Sequence, residues 1–225
     1  MRTVEKIFYS KQCVPCCGRA FLLSAILLAL FLATGCATDQ RSREMAAMHM
    51  RNGIAGIESG QYTTALRELF EARRLNPHNP EIHFYLGVAY WYRGLQDDSF
   101  EAFQRAVELK PDYSEAYNSM GLILFERGMY AESALYFEKA LSNVLYETPE
   151  KALFNLGRAY REKGEWEKAL SRFDEALKIV PNSILPAIHE SMGTLLLSMN
   201  RPHEALRHLR EAVRMAPYAP GYRYS

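Results

Sequence analysis

The sequence predicts an all-α fold, a solenoid of about five helix–turn–helix repeats, on three periodic observations. Glycines recur at steps of 34, 34, 36 and 36 residues, at Gly53, Gly87, Gly121, Gly157 and Gly193. Seven residues after each comes a residue that tolerates a left-handed backbone and marks a turn between two helices, namely Gly60, Gly94, Gly128, Gly164 and Asn200. Nineteen residues after each first glycine comes an alanine, at Ala72, Ala106, Ala140, Ala176 and Ala212. Repeats of this kind bury their apolar faces only against neighbouring copies.

The first 35 residues indicate a lipoprotein signal peptide that is removed from the mature protein. Four basic residues precede an apolar run over 20–33, and its 14 residues are too few to span a bilayer as a helix, which takes about 20 residues. The run ends in Ala33, Thr34, Gly35 and Cys36, which resembles the bacterial lipobox, where the cysteine is lipidated and becomes the mature N-terminus. The alternative is an ordinary secretory signal with a chance cysteine.

The resemblance to bacterial lipoproteins implies a location for the protein. Ala37 follows Cys36 at the place where lipoproteins retained in the inner membrane tend to have aspartate. We therefore expect lipid anchorage in the outer membrane, facing the periplasm. Residues 36–45 are mostly polar and predict a short tether between the lipid and the folded body.

Residues 46–219 resemble the tetratricopeptide repeat (TPR) family, in which each unit of about 34 residues forms two antiparallel helices. The units run over 46–79, 80–113, 114–147, 150–183 and 186–219, and a tail follows at 220–225. The resemblance implies a right-handed superhelix whose concave surface is lined mainly by the first helix of each unit. The third unit has Leu145 where the others have proline, so we expect a longer helix or a loop before the fourth unit.

A binding groove is predicted on the concave surface because the helix at 80–92 is apolar on nearly every face. One apolar stripe of this helix is expected to pack within the solenoid, and a second stripe has no assigned neighbour. With facing residues of the third and fourth units, the second stripe forms the candidate groove set: Phe84, Val88, Trp91, Tyr92, Asn118, Leu122, Phe125, Asn155, Arg158 and Arg161. The set suits a peptide with apolar anchors and a backbone that pairs with amides. The alternative is that the second stripe is inner core, covered by adjacent helices.

The chain also resembles the type IV pilus biogenesis and stability lipoproteins of the PilF/PilW group, often called pilotins. The features that carry this resemblance are the lipobox, the short tether and the unit at 146–181 with its NLG motif at 155–157. The resemblance implies a protein that binds a secretin subunit in the periplasm and helps it reach the outer membrane and multimerise. The alternative is a general periplasmic scaffold that organises cell-wall (peptidoglycan) enzymes.

Several other functions lack support in the sequence. After residue 35 the chain has 23 basic and 25 acidic side chains, which disfavours nucleic acid as a partner. The six histidines show no metal-ligand spacing and no nucleophile has a placed base, so we expect no metal, no cofactor and no enzymatic activity. Met50 and Ile54 stand where chaperone-binding TPR proteins have basic and amide side chains, so a chaperone tail is not an expected ligand.

The last predicted helix carries a basic stripe at helical period, formed by His203, Arg207, Arg210 and Arg214. Such a stripe suits the solvated outer face that a terminal repeat requires. The alternative is a contact with an anionic cell-wall polymer or an acidic partner.

Overall fold

The structure is a computed structural model that describes residues 40–179 and 185–215, and all regular structure in these ranges is helical. Helix α1 covers 40–58 within the described residues. The other helices are α2 (Tyr62–Leu75), α3 (Pro80–Tyr92), α4 (Gln96–Leu109), α5 (Ser114–Glu126), α6 (Tyr130–Leu141), α7 (Pro149–Glu162), α8 (Trp166–Ile179), α9 (Leu185–Ser198) and α10 (Pro202–Met215). Consecutive helices form five pairs, and each pair packs against the next. The predicted all-α solenoid is confirmed.

The predicted signal peptide, Cys36 and the tail at 220–225 lie outside the described residues. Lipidation at Cys36 therefore stays a prediction. Within 40–179 and 185–215, no helix combines the length and the apolar character needed to cross a bilayer.

The first glycine of each unit lets its two helices approach closely. A Cβ atom added at Gly87 would lie 2.6 Å from the Phe103 ring, and one added at Gly157 would lie 2.5 Å from the Phe173 ring. Both rings are buried, with 2% and 0% of their surface exposed. The other units repeat the contact in the pairs Gly53 with Leu69, Gly121 with Phe137 and Gly193 with Leu209. The glycine is therefore a packing requirement of the repeat, because any side chain would displace the ring beneath it.

The small residues and turns expected from the repeat pattern occupy the expected places. Each of the five periodic alanines is fully buried, at 0% exposure: Ala72, Ala106, Ala140, Ala176 and Ala212. The turn glycines have φ between 74° and 76°, and Asn200 takes their place in the fifth unit with φ of 56°. Glycine adopts this backbone conformation without strain and asparagine tolerates it.

In the second and third units a buried serine joins the paired helices. Ser99 Oγ donates a hydrogen bond to the Gly87 carbonyl at 2.8 Å, and Ser133 Oγ donates to the Gly121 carbonyl at 2.9 Å. The equivalent position in the other units is a fully buried alanine, at Ala65, Ala169 and Ala205. The close approach of the helices therefore does not depend on this hydrogen bond.

The first helix begins earlier than the repeat pattern predicts. Residues 40–45, expected as the end of the tether, are helical and belong to α1. Ser42 Oγ donates to the Leu75 carbonyl at 3.0 Å, which ties this polar segment to the end of α2. Hydrophobic periodicity does not reveal such a polar contact, since no apolar stripe marks the segment.

The expected irregularity before the fourth unit is a loop at 142–148. Tyr146 from this loop is only 8% exposed and packs in a core cluster with Ala140 and Ala152. Burial raises the pKa of the Tyr146 hydroxyl to about 12, so the ring stays neutral in its apolar surroundings.

Two histidines face each other between α9 and α10. His189 Nδ1 and His208 Nδ1 lie 3.0 Å apart, so in the neutral pair one nitrogen donates and the other accepts. Burial lowers the pKa of both rings below the usual histidine value. The equivalent pair in the first unit is His49 and Glu68, with Nδ1 and Oε2 2.8 Å apart.

Charged groups of α8 and α10 also act on the His189–His208 pair. The His208 ring and Arg214 lower the pKa of His189, and Arg207 lowers the pKa of His208. Carboxylates act in the opposite direction on both rings, and these are Asp174, Glu204 and Glu211. Burial outweighs the carboxylates, so the folded protein resists protonation of this pair.

Gly87→Ala tests the contact between the first glycine and the ring. We expect the free energy of unfolding to fall by about 1–2 kcal/mol, because overpacking costs about 1–3 kcal/mol and alanine recovers only about 0.5–1 kcal/mol of helix propensity. Urea denaturation measures the change. As a control, Gly87→Ala combined with Phe103→Leu should lose less stability than the sum of the single variants. Strictly additive losses would show that the ring is not the obstacle.

The histidine pair predicts a pH dependence of stability. Stability should fall as the pH drops from about 7.5 to about 5.5, because the unfolded chain takes up protons near the usual pKa of about 6.5 and the folded pair takes them up only at lower pH. In His208→Glu the contribution of this site to stability should instead increase as the pH drops, since a carboxylate beside His189 favours its protonated form. Thermal melts across this pH range measure the effect, with His203→Gln, an exposed histidine of α10, as the matched control. An unchanged pH slope in His208→Glu would refute the assignment.

Candidate binding groove

A mostly apolar cleft of about 140 Å³ lies between α3 and α5. Its walls come from both helices, and its floor is the buried ring of Phe103 from α4. The lining residues are Val88, Trp91, Tyr92, Phe103, Ser119 and Leu122. Four members of the predicted groove set therefore meet in one concave site.

The cleft residues of α3 are also part of the solenoid packing. Val88 and Trp91 are half-buried against the core cluster that contains Phe103 and Met120. One side of each residue is held by the core, and the other side faces the cleft. Such side chains lose little conformational entropy on binding, which suits them as anchors for a partner.

Phe84 belongs to the same predicted stripe but does not line the cleft. Its ring packs on Tyr113 at 5.0 Å and on Phe103 at 5.5 Å between ring centroids. The aromatic contacts at the junction of the second and third units draw this ring into the packing. For Phe84 the structure favours the interpretation as inner core.

Tyr92 lies on the rim of the cleft with 56% of its surface exposed. Its ring stacks on Tyr62 of the first unit, with centroids 5.0 Å apart and planes 3° from parallel. Beside this stack, Arg93 donates a hydrogen bond to Thr63. The rim is therefore held by side chains from two successive units.

Polar members of the groove set form a chain of contacts from α5 to α7. Asn155 Nδ2 donates to Asn118 Oδ1 at 3.1 Å, and Arg158 Nη1 donates to Asn155 Oδ1 at 3.4 Å. The Arg158 guanidinium carbon lies 4.4 Å from the centre of the Phe125 ring, a cation–π contact, and 5.8 Å from the Phe154 ring. The two amides and the cation thus continue the cleft toward the fourth unit.

The charge of Arg158 is only partly compensated. Burial lowers the pKa of its guanidinium, and the positive charge of Arg161 adds to this effect, while Glu162 and Glu126 oppose it. In the described ranges, no carboxylate forms an ion pair within 4.0 Å of Arg158. A guanidinium is protonated at all physiological pH values, so this half-buried side chain offers a positive charge to a bound carboxylate.

Arg161 faces a different neighbour. Its guanidinium pairs with Glu162 at 2.6 Å, and the side chain lines a shallow depression with Thr194 and Ser198 of α9. The structure therefore separates Arg161 from the other groove residues, although all lie on first helices of their units.

Sequence reasoning missed the floor of the cleft and the contacts along its rim. Neither the large residue Phe103 nor the small residue Ser119 belongs to the predicted groove set, and neither carries a signal for a cleft in the sequence. The rim is joined between the second and third units by Arg127 to Asp97 at 2.6 Å and Gln96 to Glu126 at 3.0 Å. These partners are 30 residues apart in the sequence, and a search for complementary polar pairs at this spacing would have found them.

A metal-dependent chemistry has no candidate ligands in the part of the chain that the structure describes. There, no group of three or more His, Cys, Asp or Glu side chains is placed to hold a metal ion. The groove offers aromatic, aliphatic, amide and guanidinium groups, which are suited to recognition of a polypeptide.

Protein-family models described as Tetratricopeptide repeat match this chain over most of its length. One model matches residues 147–217, and another matches 50–114 and 99–151. Together the matches extend from residue 50 to residue 217.

Solved structures share the fold. The crystal structure of PilW, described as a widely conserved type IV pilus biogenesis factor, has a TM-score of 0.71 and 22% identity over 77% of this chain and 79% of that chain. PilF of Pseudomonas aeruginosa has a TM-score of 0.70 and 18% identity over 78% of this chain and 85% of that chain. A crystal structure of MamA has a TM-score of 0.64 and 22% identity over 81% of this chain and 97% of that chain. At these identities the likeness shows the fold.

Longer proteins contain similar repeat regions. The BBSome complex member BBS4 of Bos taurus is 25% identical over 168 residues, which are 73% of this chain and 31% of that protein. The CTR9 homolog of Arabidopsis thaliana is 24% identical over 161 residues, which are 70% of this chain and 14% of that protein. The chain thus spans less than a third of the length of these two relatives.

Proposed function

This chain belongs to the tetratricopeptide repeat family, and we propose that it acts as a pilotin, an outer-membrane lipoprotein that binds a secretin subunit. The proposed task is to bring the secretin to the outer membrane and to assist its multimerisation in type IV pilus biogenesis. We further propose that the protein acts by binding alone, without catalysis.

The observation that carries this proposal is the cleft between α3 and α5. Val88, Trp91 and Leu122 present apolar surface there, and Tyr92 adds an amphipathic ring at the rim. A segment of a partner that buries an aliphatic or aromatic side chain in this cleft would gain its main binding energy from few residues. Asn118, which is half-buried, would offer its amide nitrogen to a peptide backbone, and the buried Asn155 would hold Asn118 and Arg158 in place.

The positive charge of Arg158 gives the groove a preference for ligands that carry a carboxylate. A carboxylate close to the apolar anchor of the bound segment would pair with this incompletely compensated cation. The proposed ligand is therefore a short segment with an apolar anchor followed or preceded by an acidic residue.

The proposed location depends on the segment before the folded body. Lipid at Cys36 would place the folded body close to the membrane surface, because residue 40 already belongs to α1. The secretin would then be held close to the membrane into which it inserts.

The likeness to PilW and to PilF of P. aeruginosa supports the assignment to pilus biogenesis at the level of fold. The same fold also occurs in MamA, and a similar sequence occurs in BBS4, two proteins with other descriptions. A test in cells separates these possibilities.

Removal of the protein from cells provides that test. We expect a deletion strain to lose detergent-resistant secretin multimers while retaining secretin monomers, as measured by immunoblot of membrane fractions. The intact chain should restore the multimers. Cys36→Ser should shift the protein out of the outer-membrane fraction, abolish labelling with palmitate and restore fewer multimers, since anchorage requires the acyl chains.

Normal secretin multimers in the deletion strain would refute the pilotin function. Affinity purification from crosslinked cells separates the alternative: recovery of peptidoglycan enzymes without secretin would favour a general periplasmic scaffold.

The groove is tested by Trp91→Ala combined with Phe125→Ala. We expect the affinity for purified secretin to fall about 30-fold or more, because truncation of interface anchors costs about 2 kcal/mol or more. Surface plasmon resonance measures the affinity, and circular dichroism at 25 °C should show that the helical content is kept.

The chain offers a matched control for this variant. Trp166, the other tryptophan, is 42% exposed on α8, away from the cleft, so Trp166→Ala should leave the affinity for secretin unchanged. Parallel loss of helical content and affinity in the groove variant would instead assign Trp91 and Phe125 to the core.

A further inference from the structure

The outer face of α10 carries exposed apolar side chains at positions that are covered in earlier units. Leu206 and Val213 are 47% and 43% exposed. Their equivalents 36 residues earlier are Leu170, which is 8% exposed, and Leu177, which packs against the cluster shared by the fourth and fifth units. In the fourth unit, α9 provides this cover. Within residues 40–179 and 185–215, no helix stands in the same place beyond α10.

Leu206 and Val213 form one stripe with Leu209, which is half-buried and packs on α9. Leu206, Leu209 and Val213 follow each other at i, i+3 and i+7, which places them on one side of the helix. Leu209 lies under Gly193, where an added Cβ atom would be 2.6 Å from its Cγ atom. The stripe is therefore an extension of the core of the fifth unit, and its geometry is that of a surface that receives a helix.

Arg210 borders this stripe at a position that contacts the following helix in earlier units. In the third unit the equivalent residue is Glu138, whose carboxylate accepts a hydrogen bond from the Tyr160 hydroxyl of α7 at 2.6 Å. In the first unit it is Phe70, whose ring meets Tyr90 of α3 edge-on at 6.4 Å. A helix seated on the stripe would accordingly meet the guanidinium of Arg210.

The charges on α10 favour an acidic occupant. Arg214 pairs with Glu211 at 2.7 Å, whereas Arg207 and Arg210 have no carboxylate within 4.0 Å in the described part of the chain. A second copy seated on the same face would bring these cations against their own counterparts, which is unfavourable. A helix with carboxylates beside its apolar stripe would complement them.

We propose that the face formed by Leu206, Leu209, Val213 and Arg210 docks an amphipathic helix of a partner protein. The apolar residues of that helix pack on the stripe at i, i+3 or i+4, and i+7, and an acidic residue beside them pairs with Arg210. This docking surface lies at the end of the solenoid, away from the cleft between α3 and α5. It requires neither lipidation nor secretin binding, so it stands independently of the proposed function.

Two labelled helical peptides test the docking surface. They share one apolar stripe and differ only in their flanking positions, which are glutamate in one peptide and lysine in the other. Fluorescence anisotropy with the full-length chain should show about tenfold tighter binding of the glutamate peptide at low salt, with a smaller difference at 0.5 M salt.

Variants of the surface distinguish the two contributions. Leu206→Ala with Val213→Ala should weaken binding of both peptides about tenfold or more, because the apolar contact is shared. Arg210→Glu should reverse the preference, so that the lysine peptide binds more tightly. As a control, Leu135→Ala removes a leucine of α6 that is 57% exposed, and it should leave the affinity for both peptides unchanged.

Four outcomes would overturn the proposal. The first is absence of binding by either peptide, and the second is an unchanged preference in Arg210→Glu. The third is self-association in sedimentation that Leu206→Ala abolishes, which would show a second copy on this face. The fourth is tenfold tighter peptide binding after removal of residues 216–225, which would show that the chain's own end covers the stripe. Trp91→Ala should leave peptide binding intact, and this separates the docking surface from the groove.

Discussion

The contact between a glycine of the first helix and a large side chain of the second helix is the constraint on which this structure depends. At Gly87, Gly121 and Gly157 the ring lies where a Cβ atom would be, so helix axes approach more closely than side-chain packing normally allows. In each first helix, one face is occupied by this contact with the second helix. The neighbouring face, which carries Val88 in α3 and Leu122 in α5, lines the cleft above the Phe103 ring.

This division of faces explains how much of the protein could be predicted from the sequence. Periodic glycines, alanines and turn residues predicted five helix pairs, because the same residue types recur at the same helix contacts in all five units. The limits of α1 could not be predicted in this way, since the Ser42 hydroxyl finds its partner on the end of α2. Contacts between side chains that occur once leave no period in the sequence.

The candidate groove also shows what sequence periodicity can and cannot predict. Phe84 and Val88 are one helical turn apart on the same stripe, yet Val88 lines the cleft and Phe84 packs on Tyr113. Helical spacing places both on one face, but it does not say which of them finds an aromatic neighbour on the next unit. Arg158 illustrates the converse: its position on the inner face was predictable, whereas its contact with Phe125 depends on how α5 and α7 are set side by side.

The units keep the same backbone and differ at a few positions that face a neighbour. The position occupied by Glu68 in the first unit is occupied by His208 in the fifth, and the position of Glu138 in the third unit is that of Arg210 in the fifth. Each exchange leaves the glycine contact and the buried alanine untouched, so it changes charge or hydrogen bonding at little cost in packing. The glycine and alanine contacts that stabilise each unit are the same in all units. The side chains that could bind a partner can therefore differ from one unit to the next. An apolar cleft in the middle of the solenoid and a basic, half-apolar face at α10 therefore coexist in a chain built from one repeat.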